Sequence, residues 1–299
     1  MVITKKADFG KIWSALLTPM KSDESVNYDA LEKIIELQIK DGVEGFYVCG
    51  SSGEALLLSL EERKQILDHT IKAVAGRVPV IAHVGTVRTK DVIELADHAM
   101  NTGALAVSMI PPYYYKFSMD EILSYYEDVI QAVPDLPVII YNIPQFTGVE
   151  FNKYNAGRLL ANDNIVGIKH TSTNLYSLER MGNAFPDKAL INGFDEQFLG
   201  ALVMGATATI GTTVNLFAPL FHKVRAAYEI GDMNEAYKWQ HEINYRVEET
   251  VKLGIFNAMK YGWTIRGVDC GFCRAPFKVF NEEQKKAMER LMSDSCNIN

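Results

Sequence analysis

The sequence predicts a (β/α)8 barrel followed by an additional C-terminal layer of helices, and three observations carry that prediction. Eight short apolar runs rich in Val and Ile occur at 12–17, 43–48, 78–84, 104–110, 136–141, 165–169, 189–192 and 206–211. They begin about 17 to 35 residues apart, the length a strand and its crossover helix require. Between them lie segments with a helical apolar period, and no Gly/Ser or Pro-rich linker breaks the series. Eight uninterrupted strand–helix units make a parallel sheet closed on itself.

The elements follow in order. After the first run, 28–39 keeps a helix-period apolar face with Leu31, Ile34, Ile35 and Leu37-Gln38-Ile39. The next helix, 60–74, is opened by Ser59 with Glu62 three residues on, the signature of a capping box. Helical patterns recur at 89–100 and 119–132. After the eighth run the character changes: from about Pro219 onward Ala226, Tyr228, Met233, Ala236 and Trp239 fall at helix-like spacings. That divides the chain into a barrel, 1–218, and a helical region, 219–299, which includes the last barrel helix. A doubly wound open sheet would need a nucleotide loop. The early glycine turn Gly50-Ser51-Ser52-Gly53-Glu54 is neither G-x-G-x-x-G nor a P-loop.

Composition narrows the function. The 299 residues are 48% hydrophobic with a formal net charge of −7, which argues against nucleic acid and anionic membranes as partners. No signal-peptide pattern opens the chain and no apolar stretch approaches a membrane span, so a cytoplasmic location is expected. Cys49, Cys270, Cys273 and Cys296 are too scattered for a disulfide framework. Cys270-Gly271-Phe272-Cys273 has no second ligand pair for zinc and reads as two reduced structural thiols.

Functional groups of such a barrel gather where strands end. The sixth run ends in Lys169-His170-Thr171-Ser172. A lysine there is ordinarily solvated or salt-bridged, but desolvation would favour the neutral amine that attacks carbonyls. The fifth run ends in Tyr141, a phenol able to relay a proton or simply to pack in the core. Gly50 to Gly53 offers backbone N–H groups and two hydroxyls to a carboxylate, or is an ordinary turn. Gly193-Phe194-Asp195-Glu196 follows the seventh run. Its acids either bind polyol hydroxyls or stabilise a helix N-terminus. Tyr113-Tyr114-Tyr115 follows the fourth run and suits an interface. His170 faces away from Lys169 and reads as a packed histidine. His83 and His170 lie on separate strands, so no metal-ligand set is expected.

Taken together these motifs resemble the pyruvate-dependent Schiff-base aldolases, the family of dihydrodipicolinate synthase and N-acetylneuraminate lyase. The likeness runs from Trp13-Ser14-Ala15-Leu16-Leu17-Thr18-Pro19 to Cys273-Arg274-Ala275-Pro276-Phe277. It is greatest to the sugar-lyase branch: Ser51 and Ser52 stand where the synthases usually carry paired threonines. Pro144-Gln145-Phe146-Thr147-Gly148 lacks the arginine with which synthases hold a second carboxylate. The resemblance implies cleavage of N-acetylneuraminate to N-acetylmannosamine and pyruvate by a homotetramer without metal or organic cofactor. It implies Lys169 as the imine-forming nucleophile and Tyr141 as the proton acceptor. Ser51 and Tyr114, the latter from a neighbouring subunit, would complete a hydroxyl relay. Ser51 and Ser52 would hold the pyruvyl carboxylate, and Thr171, Gly193, Asp195, Glu196 and Thr212 the hydroxylated tail. Dihydrodipicolinate synthase, a 2-keto-3-deoxy sugar-acid aldolase and a catalytically inactive binding barrel stand as alternatives.

Overall fold

A computed structural model describes residues 6–295. Eight parallel strands pair in chain order and close on themselves. They are β1 (Ile12–Ala15), β2 (Gly45–Val48), β3 (Val80–His83), β4 (Ala106–Met109), β5 (Val138–Asn142), β6 (Ile165–His170), β7 (Ala189–Asn192) and β8 (Ala208–Gly211). Closure is made by β1 on β8, with Trp13 opposite Ile210. Most strands are shorter than the apolar runs that announce them, because burial extends past the strand at either end. Val43, Ala104, Leu136 and Ala206 are buried ahead of β2, β4, β5 and β8, and Leu16 and Leu17 beyond β1.

Around the barrel run α1 (Tyr28–Lys40), α2 (Leu60–Val74), α3 (Thr89–Thr102), α4 (Met119–Ala132), the single turns α5 (Pro144–Thr147) and α6 (Gly157–Leu160), α7 (Leu175–Ala184) and α8 (Phe198–Val203). The expected capping box of α2 is present, with Ser59 and Glu62 bonded reciprocally. A second box, Ser118 with Glu121, opens α4. Then come α9 (Val214–Glu229), α10 (Met233–Leu253), α11 (Ile255–Ile265) and α12 (Glu282–Ser295), the additional helical layer. The junction at 218 falls inside α9, between a break in helical geometry at Phe217 and the proline at 219. Barrel and layer therefore share a helix.

The barrel interior is packed. Trp13 fills its lower end, and its indole N–H donates to the Phe9 carbonyl at 3.0 Å in the 3-10 turn that closes the floor. The neighbouring position on β2 is Gly45, where a Cβ would come within 2.3 Å of the Trp13 ring. At the other end the layer is tied to the barrel by Glu54 and Lys260, a wholly buried ion pair joining the turn after β2 to α11. Arg274 N–H donates to the second Glu54 oxygen (2.8 Å), and Lys260 also donates to the Phe272 carbonyl (3.0 Å). Cys49, Cys270 and Cys273 are free and buried. Burial pushes the thiols of Cys270 and Cys273 up to about 12, which keeps both protonated and unreactive. Cys296 lies outside the described residues.

Candidate active site

The strand alternation that makes the barrel also selects which side chains enter it. On β5 and β6, Tyr141 pairs with Lys169 in register, and both point inward while His170 points out. His170 is packed as expected: it accepts from the Asn142 amide (2.9 Å) and donates to the Asn174 carbonyl (3.1 Å). Burial holds its imidazole below the usual range.

Lys169 is 4% exposed and forms no ion pair among the described residues. Its Nζ lies 3.8 Å from the centre of the Tyr141 ring and 4.5 Å from that of Tyr47. A cavity of about 180 Å³ opens above it at the strand ends. Ser51, Ser52, Tyr141, Lys169 and Thr171 line this cavity together with Gly193, Asp195, Glu196 and Thr212. Thus eight of the residues expected from the motifs, with Lys169, converge on one chamber. Tyr114 does not. It is 88% exposed on the turn after β4 and adopts a left-handed φ of 76°, unusual for a side chain of its size.

The polar groups of the chamber are unevenly satisfied. The hydroxyls of Ser52 and Thr212 bond to each other at 2.7 Å, bridging the β2 and β8 loops. Asp195 begins a 3-10 turn, Asp195–Gln197, that leads into α8. One oxygen, Oδ2, accepts from the Thr213 backbone N–H and hydroxyl, both at 2.7 Å, at the start of α9. So the acid does stabilise a helix N-terminus, though that of α9. Its Oδ1 is buried without a partner, as is Thr171 Oγ1. Both occupy space that only glycine neighbours leave free. A Cβ on Gly211 would stand 1.9 Å from Asp195 Oδ1, and one on Gly193 1.8 Å from Thr171 Oγ1. Burial raises the Asp195 carboxyl to about 6, against the pull of its two Thr213 bonds, and raises that of Glu196 as well.

Several walls of the chamber were not legible in the motifs. Tyr47 is one, although its inward phase on β2 was readable from the alternation of Gly45-Phe46-Tyr47-Val48. The others come from the helical layer: Val247 and Val251 on α10, and Ile255 and Phe256 on α11. Nothing local marks them, since an amphipathic pattern does not say what its apolar face will meet. The same layer holds the acid turn. Gln240 of α10 donates to the Asp195 carbonyl (3.1 Å) and accepts from Leu199 N–H (2.7 Å).

Comparison with known proteins agrees with this geometry. Residues 8–295 match the model of the dihydrodipicolinate synthetase family. The chain is 39% identical to an N-acetylneuraminate lyase of Rhizobium meliloti (strain 1021), over 282 residues and 94% of each protein. The solved N-acetylneuraminate lyase of Fusobacterium nucleatum superposes with a TM-score of 0.92 at 35% identity, covering 96% of this chain and 99% of that one. A dihydrodipicolinate synthase of Bacillus anthracis superposes with a TM-score of 0.91 at 26% identity, covering 95% and 98%. Fold alone therefore does not separate the two branches, and the chamber must. Matched along nearly its whole length, the chain belongs to the dihydrodipicolinate synthetase family.

Proposed function

We propose that this protein is a Schiff-base aldolase that cleaves N-acetylneuraminate, reversibly, to N-acetylmannosamine and pyruvate. One observation carries the reading. Among the described residues, a buried lysine without a carboxylate ion pair shares a chamber with two buried polar atoms, Thr171 Oγ1 and Asp195 Oδ1, that lack hydrogen-bond partners. An amine free of an ion pair suits attack on a ketone, and unmet polar atoms suit a hydroxylated substrate. The relatives named as N-acetylneuraminate lyases support the choice of substrate.

In this reaction Lys169 Nζ adds to C2 of the open-chain sugar acid, water leaves, and the protonated imine becomes the electron sink. Tyr141 takes the C4 hydroxyl proton as the C3–C4 bond breaks, and that bond's electrons neutralise the imine as an enamine. N-acetylmannosamine departs. Protonation at C3 and hydrolysis then release pyruvate and the lysine. Ser51, with Tyr114 from a neighbouring subunit, relays the proton to and from Tyr141. Ser51 and Ser52 hold the carboxylate, while Thr171, Gly193, Asp195, Glu196 and Thr212 hold the hydroxylated tail. Because the lysine supplies the sink, the chemistry calls for no metal or organic cofactor. The working unit is a homotetramer in the cytoplasm, a setting the buried free thiols support.

Borohydride reduction with pyruvate, followed by peptide mass mapping and turnover assays, tests this reading. The adduct is expected on Lys169 alone, to be lost in Lys169→Ala and Lys169→Arg, and sialic acid is expected to be cleaved. An adduct on another lysine refutes the nucleophile. Preference for aspartate semialdehyde assigns the chain to the synthase branch, whose second-carboxylate arginine is missing from Pro144 to Gly148.

A further inference from the structure

The nitrogen of Lys169 lies between two aromatic faces, and only one of them belongs to the proton-transfer residue. Tyr47 supplies the other, with its ring centre 4.5 Å from Nζ. Nothing in the motifs pointed to it. It is wholly buried and fixed on several sides. Its hydroxyl donates to Ser108 Oγ at 3.1 Å. Its ring meets the Tyr141 ring edge-on, with centres 6.0 Å apart, and the His83 ring at 6.0 Å. Above it, a Cβ on Gly50 would stand 2.5 Å from the ring, so the glycine loop lies directly against its edge. Burial pushes its phenol well above the ordinary range, so the ring is a neutral one.

An aromatic face attracts a cation and does little for a neutral nitrogen. The aldolase cycle alternates between these two states. The ammonium and the protonated imine carry the positive charge on nitrogen. When the C3–H or C3–C4 bond of the imine gives up its electrons, they move into the C2–C3 bond and the C2–N pair returns to nitrogen, leaving a neutral enamine. Among the described residues no salt bridge joins Lys169 to a carboxylate, and two π faces lie within 4.5 Å of its nitrogen.

We infer that Tyr47 is a positioning residue whose ring face holds the cationic nitrogen of Lys169 and sets the balance between protonated imine and enamine. This rests on Lys169 as the imine-forming residue. The neighbouring ring, Tyr141, moves protons; Tyr47 moves none.

The test varies the ring's electrostatics at constant shape. Phe, 4-fluoro-, 3,5-difluoro- and 3,4,5-trifluorophenylalanine are placed at position 47 of the full chain, each fluorine draining charge from the ring face. Two quantities are read with pyruvate alone: the amount of imine captured by borohydride, and the exchange of pyruvate methyl protons for deuterium, which passes through the enamine. Exchange per captured imine should rise with each fluorine, by about tenfold across the series. Y47F keeps the face and loses the Ser108 bond, so it should stay within about threefold of wild type on this ratio. A flat ratio across the series overturns the inference while leaving the aldolase reading intact. So does a Y47F ratio as altered as that of the trifluoro variant, since the hydroxyl would then be what matters. Failure of pyruvate to be captured on Lys169 in the wild type overturns the reading and the inference together.

Discussion

At the scale of single residues, neighbours in the chamber do separable work. Tyr141→Phe should lower kcat by on the order of a hundredfold or more while KM changes little, because a proton transfer is made only in the transition state. Unchanged kcat would return Tyr141 to a packing role. Asp195 gives a prediction with a pH sign. Its folded carboxyl titrates near 6 against an ordinary 3.8, chiefly through burial. A raised folded value means its contribution to stability is intact below about pH 4 and is lost as pH rises through 6. About two pH units at 1.36 kcal/mol each makes roughly 3 kcal/mol. Asp195→Asn removes this cost, so its advantage over wild type in urea melts should grow between pH 4 and 7. Its kcat/KM for sialic acid should nonetheless fall about ten- to a hundredfold, with pyruvate still captured on Lys169. A pH-independent stability difference would show that the carboxyl is not destabilised in place. That Lys169 and Tyr141 face one chamber was legible in the sequence, because both end apolar runs where such a barrel gathers its polar groups. The division of Asp195 between the start of α9 and the chamber was not, since it depends on Thr213 arriving from the next strand.

At the scale of elements, the barrel was readable because each strand is buried and therefore continuously apolar, whereas the helical layer was readable only as helices. What it touches is a long-range matter. Glu54 illustrates the gap: in sequence it ends a glycine turn, and in the fold it is the buried anchor for α11. Neither Lys260 nor Arg274, more than two hundred residues away, could be assigned to it from local pattern. Removing one partner strands a charge in the interior, which typically costs about 3 to 5 kcal/mol. Lys260→Met should therefore lower stability by that amount, read from denaturant melts. Adding Glu54→Gln should recover a substantial part, because the stranded carboxylate is then gone. A double variant no better than Lys260→Met would show that packing, and not the unpaired charge, sets the cost. Since α11 also lines the chamber through Ile255 and Phe256, the single variant should raise KM for the sugar as well.

At the scale of the whole molecule, Tyr114 is the residue the single chain leaves unexplained. A tyrosine that is 88% exposed with a left-handed backbone is an expensive thing to keep on a surface turn, and it stands outside the chamber of its own chain. Our proposal gives it a place in the neighbouring subunit's relay, and that makes a prediction about mixtures. Tyr114→Phe and Lys169→Ala chains should each be nearly inactive alone, the first lacking the relay hydroxyl and the second the nucleophile. Unfolded together and refolded as one population, they form mixed pairs. In a two-fold pair that exchanges this tyrosine, one of the two chambers combines Lys169 from the first chain with Tyr114 from the second. Random assortment makes half of the pairs mixed, each with one complete chamber, so about a quarter of wild-type activity should return. If each chain supplies its own Tyr114, no chamber in any mixture holds both groups and the activity stays at the sum of the two parents.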